Sequence, residues 1–303
     1  MEKKLAIGGQ AVIEGVMIRT KNYNVVACRT NNKIKIKKDK LAPRKGFYQF
    51  PIIRGFFNLA DMLVWGMRSL TWSAEQQTSK EEKISKTEMT VTVLFSIGLA
   101  ILLFVALPYF FTIWSGIKEE SQPLLFNFID GLIRISIFLL YLLGISLLKD
   151  VKVLFQYHGA EHMAIHCFEH GKKLTVDNVK RFTTLHPRCG TAFIMIVMVV
   201  AILVFSIMTP IILALLPGLA AMATLPQKII LFFIRLLFLP LIAGLSYEFL
   251  KFSAKYEKKA IMRVFVAPGL LMQKITTKKP TAKQIEVAIR SMETALKLEK
   301  IKF

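Results

Sequence analysis

Apolar positions along this chain gather into four long stretches, with no periodic face: Met89–Trp114, Leu124–Leu148, Thr191–Leu216 and Ile229–Leu250. About 20 apolar residues in a helix cross the ~30 Å hydrocarbon core of a bilayer. Each stretch therefore predicts a transmembrane helix. The first and third carry no charge. The second carries Asp130 and Arg134, and the fourth carries Arg235 and, at its end, Glu248. Lone ionisable groups at such depths are costly but do not forbid insertion.

Outside those stretches the pattern changes period. Leu5–Ile7, Ala11–Arg19, Asn24–Arg29 and Lys33–Lys37 are β-prone runs separated by Gly8-Gly9, Lys21-Asn22 and Asn31-Asn32, which predicts a small antiparallel meander. The alternation in KIKIKK predicts one wet face. Pro51–Trp72 is apolar, but Arg54, Asp61 and Arg68 recur every seven residues and form one charged stripe on a helix. That reads as an interfacial or re-entrant amphipathic helix, not a fifth span. A polar linker, Ser73–Glu88, follows. The long connection 149–190 is expected to continue the second span as a helix to about His170, stopping at Gly171. A short Thr-capped helix over Thr175–Phe182 comes next, and Thr281–Lys300 predicts an amphipathic surface helix with a Thr cap.

The fold class expected is thus an all-α polytopic membrane protein with four transmembrane helices, an N-terminal interfacial helix and a small N-terminal β meander. Its expected divisions are 1–50 (meander), 51–88 (interfacial helix and linker), 89–250 (membrane domain with the loop 149–190) and 251–303 (tail).

Composition agrees: 54% of residues are hydrophobic and the mean hydropathy is +0.49. Charge supplies the orientation. Lys and Arg outnumber acids 17 to 8 in residues 1–88, 7 to 4 in 149–190 and 13 to 4 in 251–303. The connections 115–123 and 217–228 carry one each. Large and small counts alternate, which predicts a multi-pass cell-membrane protein with both termini cytoplasmic. The start MEKKLAIGGQAVIEG has too short an apolar core for a signal peptide. The net charge of +21 then belongs to the cytoplasmic face, with the bilayer and anionic lipid headgroups as expected partners. Nucleic acid is not expected, because no basic module with interleaved aromatics occurs. Homo-oligomer or protein-complex partners are left open. Three cysteines, two of them in one inward loop, argue against a disulfide framework.

Candidate chemistry concentrates in that loop. All five histidines lie between 158 and 186. His158, His162, His166 and His170 are four apart and form a drifting stripe on a helix, but His158 and His170 stand ~18 Å apart along its axis, so one ion cannot use all four. His158 and His162 are the best pair, because Glu161 completes His-x-x-Glu-His. This is the inverted zincin arrangement, with two imidazoles on the metal and a glutamate as general base. The expected cofactor is a divalent metal, zinc above others. Candidates for the third ligand are His186, Cys189 and Glu248, and Cys189 stands where a helix N-terminus favours a thiolate. The bland alternative is a row of interfacial hydrogen-bonding histidines. His166 and His170 lack a Glu in register and read as a solvated face.

At these residues the sequence resembles the YqhQ-like family of membrane proteins, a domain of unknown function also labelled metal-dependent enzymes. The matching pieces are GGQAVIEGVM (Gly8–Met17), YHGAEH (Tyr157–His162), LTVDNV (Leu174–Val179), HPRCGT (His186–Thr191), Tyr247-Glu248 and PGLLMQKITTKKP (Pro268–Pro280). Met163 and Leu271 stand where the family usually has Lys and Trp. The resemblance implies metal dependence centred on His158, Glu161, His162, His186 and Cys189. Arg188 is expected to pair with Glu161 or a substrate anion. Gln10 and Glu14 either approach the site or close the meander.

The leading expectation is a metal-dependent hydrolase of a membrane-proximal substrate. The alternatives are a scaffold or assembly factor binding lipid or a protein complex, and an ion or metal transporter. For the last, Asp130, Arg134 and Arg235 would form one charged cluster in the outer half of the bundle.

Overall fold

A computed structural model describes residues 7–42, 44, 46–77, 86–117, 119, 121–256 and 259–301. Leu5 and Ala6 of the first expected β run, and residues 78–85 of the expected polar linker, lie outside the described residues.

The N-terminal meander is a four-stranded antiparallel sheet in sequence order: β1 (Gly8–Val12), β2 (Gly15–Arg19), β3 (Tyr23–Thr30) and β4 (Lys33–Lys40). The run Ala11–Arg19 is not one strand. It turns at Ile13-Glu14, where Glu14 takes φ 49°, and Val12 pairs with Gly15. Gly8-Gly9, expected as a separator, is the start of β1. Alternate residues of β1, β2 and β3 serve two cores, as the two-residue period requires. Val16, Ile18, Val25 and Ala27 face one cluster, and Val12, Met17 and Val26 face another with Leu70 and Trp72. The edge strand β4 keeps its Lys side wet and turns Ile34 and Ile36 inward.

Among the described residues, four helices are long and apolar enough to cross a membrane: Thr90–Trp114, Pro123–Ile145, Gly190–Leu215 and Pro226–Ser253. The first is built from α2 (Lys86–Ile101), a π turn (Leu102–Ala106) and α3 (Leu107–Trp114). The others are α4 (Pro123–Ile145), α7 (Gly190–Leu215) and most of α9 (Thr224–Lys255), with a short α8 (Pro217–Ala220) before α9. The amphipathic α1 (Ile53–Glu75) lies along α9. Gly55 and Gly244 permit that approach: a Cβ on Gly244 would come within 2.4 Å of the Ile52 carbonyl oxygen.

In the bundle, Asp130 accepts from Arg134 at 2.8 Å. Arg235 donates to Asn127, one turn before Asp130, and to Thr209, each at 3.1 Å, and lies 3.5 Å from Glu119. Glu119 thus joins the cluster expected from the three charges.

Three elements depart from expectation. The second span does not run on into the long connection. Leu148 is extended (φ −70°, ψ 135°) and α5 (Lys149–Glu169) starts afresh, ending at Gly171 with φ 64° as expected. The Thr175-capped helix is one turn only, α6 (Val176–Val179). An unforeseen α10 (Ala260–Thr276) packs on α7. The amphipathic α11 (Ala282–Leu298) begins with the expected cap at Thr281, a full capping box with Gln284. Its apolar side is not a surface: Ile285, Ala288, Met292 and Leu296 are buried against the sheet and α5.

Candidate metal centre

The core made by the sheet, α5 and α11 holds one stretch of α5, Tyr157 to Ile165, almost entirely out of water. Its polar groups must therefore find partners inside the protein. Gly159 explains how they do. A Cβ there would stand 2.2 Å from the Lys278 carbonyl oxygen, so only glycine lets the chain after α10 cross α5 at this height. The crossing is pinned by the Lys278 amide donating to the Phe155 carbonyl at 2.9 Å. It brings the Thr276 carbonyl to His158, whose Nδ1–H donates to it at 2.9 Å. One turn on, His162 gives its Nδ1–H to the Thr184 carbonyl at 2.5 Å.

These two bonds fix both tautomers, leaving each Nε2 with a lone pair. Both lone pairs turn toward Cys189, the N-cap of α7, whose Sγ lies 3.2 Å from His158 Nε2. The ligand atoms of His158, His162 and Cys189 all lie within 4.8 Å of one another, and all three residues are buried. Two imidazole lone pairs and a sulfur converging away from water repel unless a proton or a cation sits between them. Two nitrogens and a sulfur are a zinc donor set, and the outward Nδ1–H···O=C bonds are the support such ligands use. The residues present therefore fit a zinc-like ion.

Glu161 is buried beside this group, its Oε2 3.4 Å from His162 Nε2. Burial pushes its carboxyl above the usual carboxylate range, and His158 and His186 pull it down. It lies under β1: a Cβ on Gly9 would meet Glu161 Oε1 at 2.7 Å. Burial holds His162 below its ordinary value, opposed by its interaction with the Cys189 sulfur, so its ring stays neutral. Glu14 does not join the group. It sits in the β1–β2 turn and accepts from the Tyr157 hydroxyl at 3.0 Å.

His186 is brought to a second group, with His166 and Glu169. Its Nδ1 accepts from the Arg188 amide at 3.2 Å, which leaves Nε2 carrying the proton, 3.5 Å from Glu169. A ring so arranged has no lone pair to offer a metal on that side. Arg188 pairs with Glu169, not with Glu161 as expected. His166 is half-buried and not part of a solvated face: its Nε2–H donates to the Leu185 carbonyl at 2.8 Å. His170 is exposed. Glu248 is held in a two-pronged pair by Arg54 at 2.6 and 2.5 Å, which ties α9 to α1 and leaves it outside both groups.

Reasoning from the sequence missed the groups that set this geometry. Two are backbone carbonyls, Thr184 and Thr276, which no motif can reveal. The third is Gln273 of α10, fully buried, which accepts from the His186 amide at 2.8 Å and donates to the His186 carbonyl at 2.9 Å. Its signal was a lone amide side chain inside the apolar stretch PGLLMQKI.

Fold and site together define a polytopic membrane protein with a buried histidine–cysteine cluster beneath a small β sheet. The chain belongs to the DUF1385 family of proteins of unknown function, which matches residues 50–298. It is 29% identical to the uncharacterized protein YqhQ of Bacillus subtilis (strain 168), over 97% of this chain and 93% of that protein. No solved structure matches it.

Proposed function

We propose that this protein is a membrane metalloenzyme in which His158, His162 and Cys189 hold a divalent, zinc-like ion and Glu161 moves the proton in hydrolysis of a membrane-proximal substrate. The carrying observation is the pair of Nδ1–H bonds to Thr276 and Thr184, which turns both Nε2 lone pairs onto the Cys189 sulfur. When bound, such an ion acts as a Lewis acid and brings the pKa of water near neutrality. Glu161, whose carboxyl burial pushes above the usual carboxylate range, is the group placed to accept and return a proton. The Lys and Arg distribution supports a site on the cytoplasmic side of the cell membrane.

Metal analysis of the full chain, purified in detergent with no histidine tag, tests the reading. About one zinc per chain is expected, lost in His158→Ala and retained in Glu161→Gln. Hydrolysis of ester, peptide or phosphodiester probes presented in vesicles should vanish in both variants. Wild-type protein that binds no metal after exposure to zinc overturns the proposal.

A second reading rests on the 3.2 Å approach of Cys189 Sγ to His158 Nε2. This is a thiol–imidazole pair at a helix N-terminus, the arrangement of a cysteine nucleophile. Rapid alkylation of Cys189 in metal-free wild type, slowed at least tenfold by His158→Ala, favours it.

A further inference from the structure

Between the sheet and α1 lies a cleft of about 360 Å³ lined by Arg19, Leu41, Arg44, Tyr48, Asp61 and Trp65. Asp61 accepts from Arg19 at 3.2 Å and from Arg44 at 2.5 Å. One carboxylate orients two guanidiniums but neutralises only one, so the cleft keeps a net positive charge. Arg44 also lies over the Phe57 and Tyr48 rings, 4.7 and 5.6 Å from their centroids. It is thus braced on its flat side and oriented by Asp61 through Nη2, and its other N–H groups are donors of the kind suited to phosphate.

What borders the cleft identifies its surroundings. Phe47 and Phe50, just before α1, are 64% and 60% exposed. On α1, Met62 and Leu63, next to Asp61 in sequence, and Met67 are exposed as well. The helix that carries them packs along α9, one of the four bilayer-length helices. An apolar and aromatic rim beside paired arginines is the pattern of a surface set at the headgroup level, with rings in the acyl boundary and guanidiniums at the phosphates. Arg68 repeats it one step on, over the Trp65 ring at 5.0 Å.

We propose that this cleft binds the phosphodiester headgroup of an anionic phospholipid, held by Arg19 and Arg44 with Tyr48 and Trp65 at the glycerol and acyl boundary. The proposal is independent of the metal centre. The headgroup site would fix the height of the sheet, and with it α5, above the membrane surface.

Native mass spectrometry of the full chain in detergent, titrated with phosphatidylglycerol and separately with phosphatidylcholine, is the test. Wild type is expected to retain phosphatidylglycerol at least about fivefold better, each arginine at the headgroup accounting for about that factor. Arg44→Gln, a half-exposed position, should remove most of the preference with an unchanged melting temperature. Asp61→Asn, which lifts the competing negative charge, should strengthen retention. Inorganic phosphate at millimolar concentration should not displace the lipid; if it does, free phosphate is the ligand and the lipid assignment falls. Equal retention of both lipids, or a preference that survives Arg44→Gln, also overturns it.

Discussion

His162 and His166 stand one turn apart on α5, and each gives a ring proton to a neighbouring carbonyl of the same stretch, Thr184 for one and Leu185 for the other. They use different nitrogens. His162 donates from Nδ1 and keeps its outer Nε2 for Cys189 and His158. His166 donates from Nε2. Similar residues, similar spacing and similar acceptors thus leave one ring nitrogen facing Cys189 and spend the corresponding nitrogen of the other ring on a backbone carbonyl. The same contrast separates His158 from His186, whose Nδ1 is occupied as an acceptor by the Arg188 amide. A histidine row is therefore read by where its protons go.

The sharpest way to break this contrast is to remove one member of each group and measure zinc. Cys189→Ser should weaken zinc binding by ~100-fold or more, about 2.7 kcal/mol, because a thiolate ligand becomes a neutral hydroxyl. His166→Gln should leave the affinity within about threefold. Chelator competition on the purified chain reads both. If His166→Gln loses zinc as completely as Cys189→Ser, the two groups are one site and the tautomer argument fails.

Next in size is Gly159→Ala. Its Cβ would stand 2.2 Å from the Lys278 carbonyl oxygen, a backbone atom that cannot swing aside. Displacing that crossing costs about 1–3 kcal/mol of stability as overpacking. It also pulls Thr276 from His158, which should lower zinc affinity by about 10–100-fold, the usual effect of losing a ligand's outer partner. A melt and a zinc titration on one preparation separate the two effects. Unchanged affinity in a destabilised variant would show that the Thr276 carbonyl does not orient the ring.

Gln273→Ala tests the same support from the loop side. It deletes both hydrogen bonds to the His186 backbone and should cost about 1–3 kcal/mol, since two buried backbone groups lose their partner. Zinc affinity should fall by about tenfold, through looser placement of Cys189 three residues on. An affinity equal to wild type would place the loop's rigidity elsewhere, in the Arg188–Glu169 pair.

How much of this was legible in the sequence depends on whether the cause was local. The four spans and the sheet's existence follow from continuous and alternating hydropathy, which are properties of neighbouring residues. So is the Thr281 cap. The break at Leu148 was not legible, because apolar residues continue across it and only the docking of α5 under the sheet demands a turn. Nor was α10, whose apolar side is covered by α7, a partner 70 residues away. Within the site, the pairing of His158 with His162 follows from spacing on one helix, whereas Cys189 stands at the start of another, α7. The exclusion of His186 does not follow from spacing, because it turns on a backbone amide two residues along, and Glu248 was misjudged because its partner Arg54 lies 194 residues earlier. Motif blocks mark which residues matter, and the fold assigns Gly9 and Gly159 their reason: each lets a backbone or a buried carboxylate approach where a methyl group would collide.

The smallest effect expected bears on the second group, that of His166. Burial holds the His166 ring at about 4, below its ordinary 6.5, with the Leu185 hydrogen bond opposing and the neighbouring His186 adding to the depression. A folded-state value below the unfolded one means that the unfolded chain takes up the proton first as the pH drops. Stability is thus intact above 6.5 and is lost progressively as the pH falls from 6.5 toward 4. Because the ring is only half-buried, water screens the effect and about 1 kcal/mol is expected at pH 5. Melts of wild type and His166→Gln at pH 7.5 and pH 5 isolate it, since every other titrating group is shared. The wild type should lose more than the variant on acidification, and zinc should make no difference to that gap. A gap that closes when zinc is added would mean that His166 senses the metal, and the boundary between the two groups would then have to be drawn beyond it.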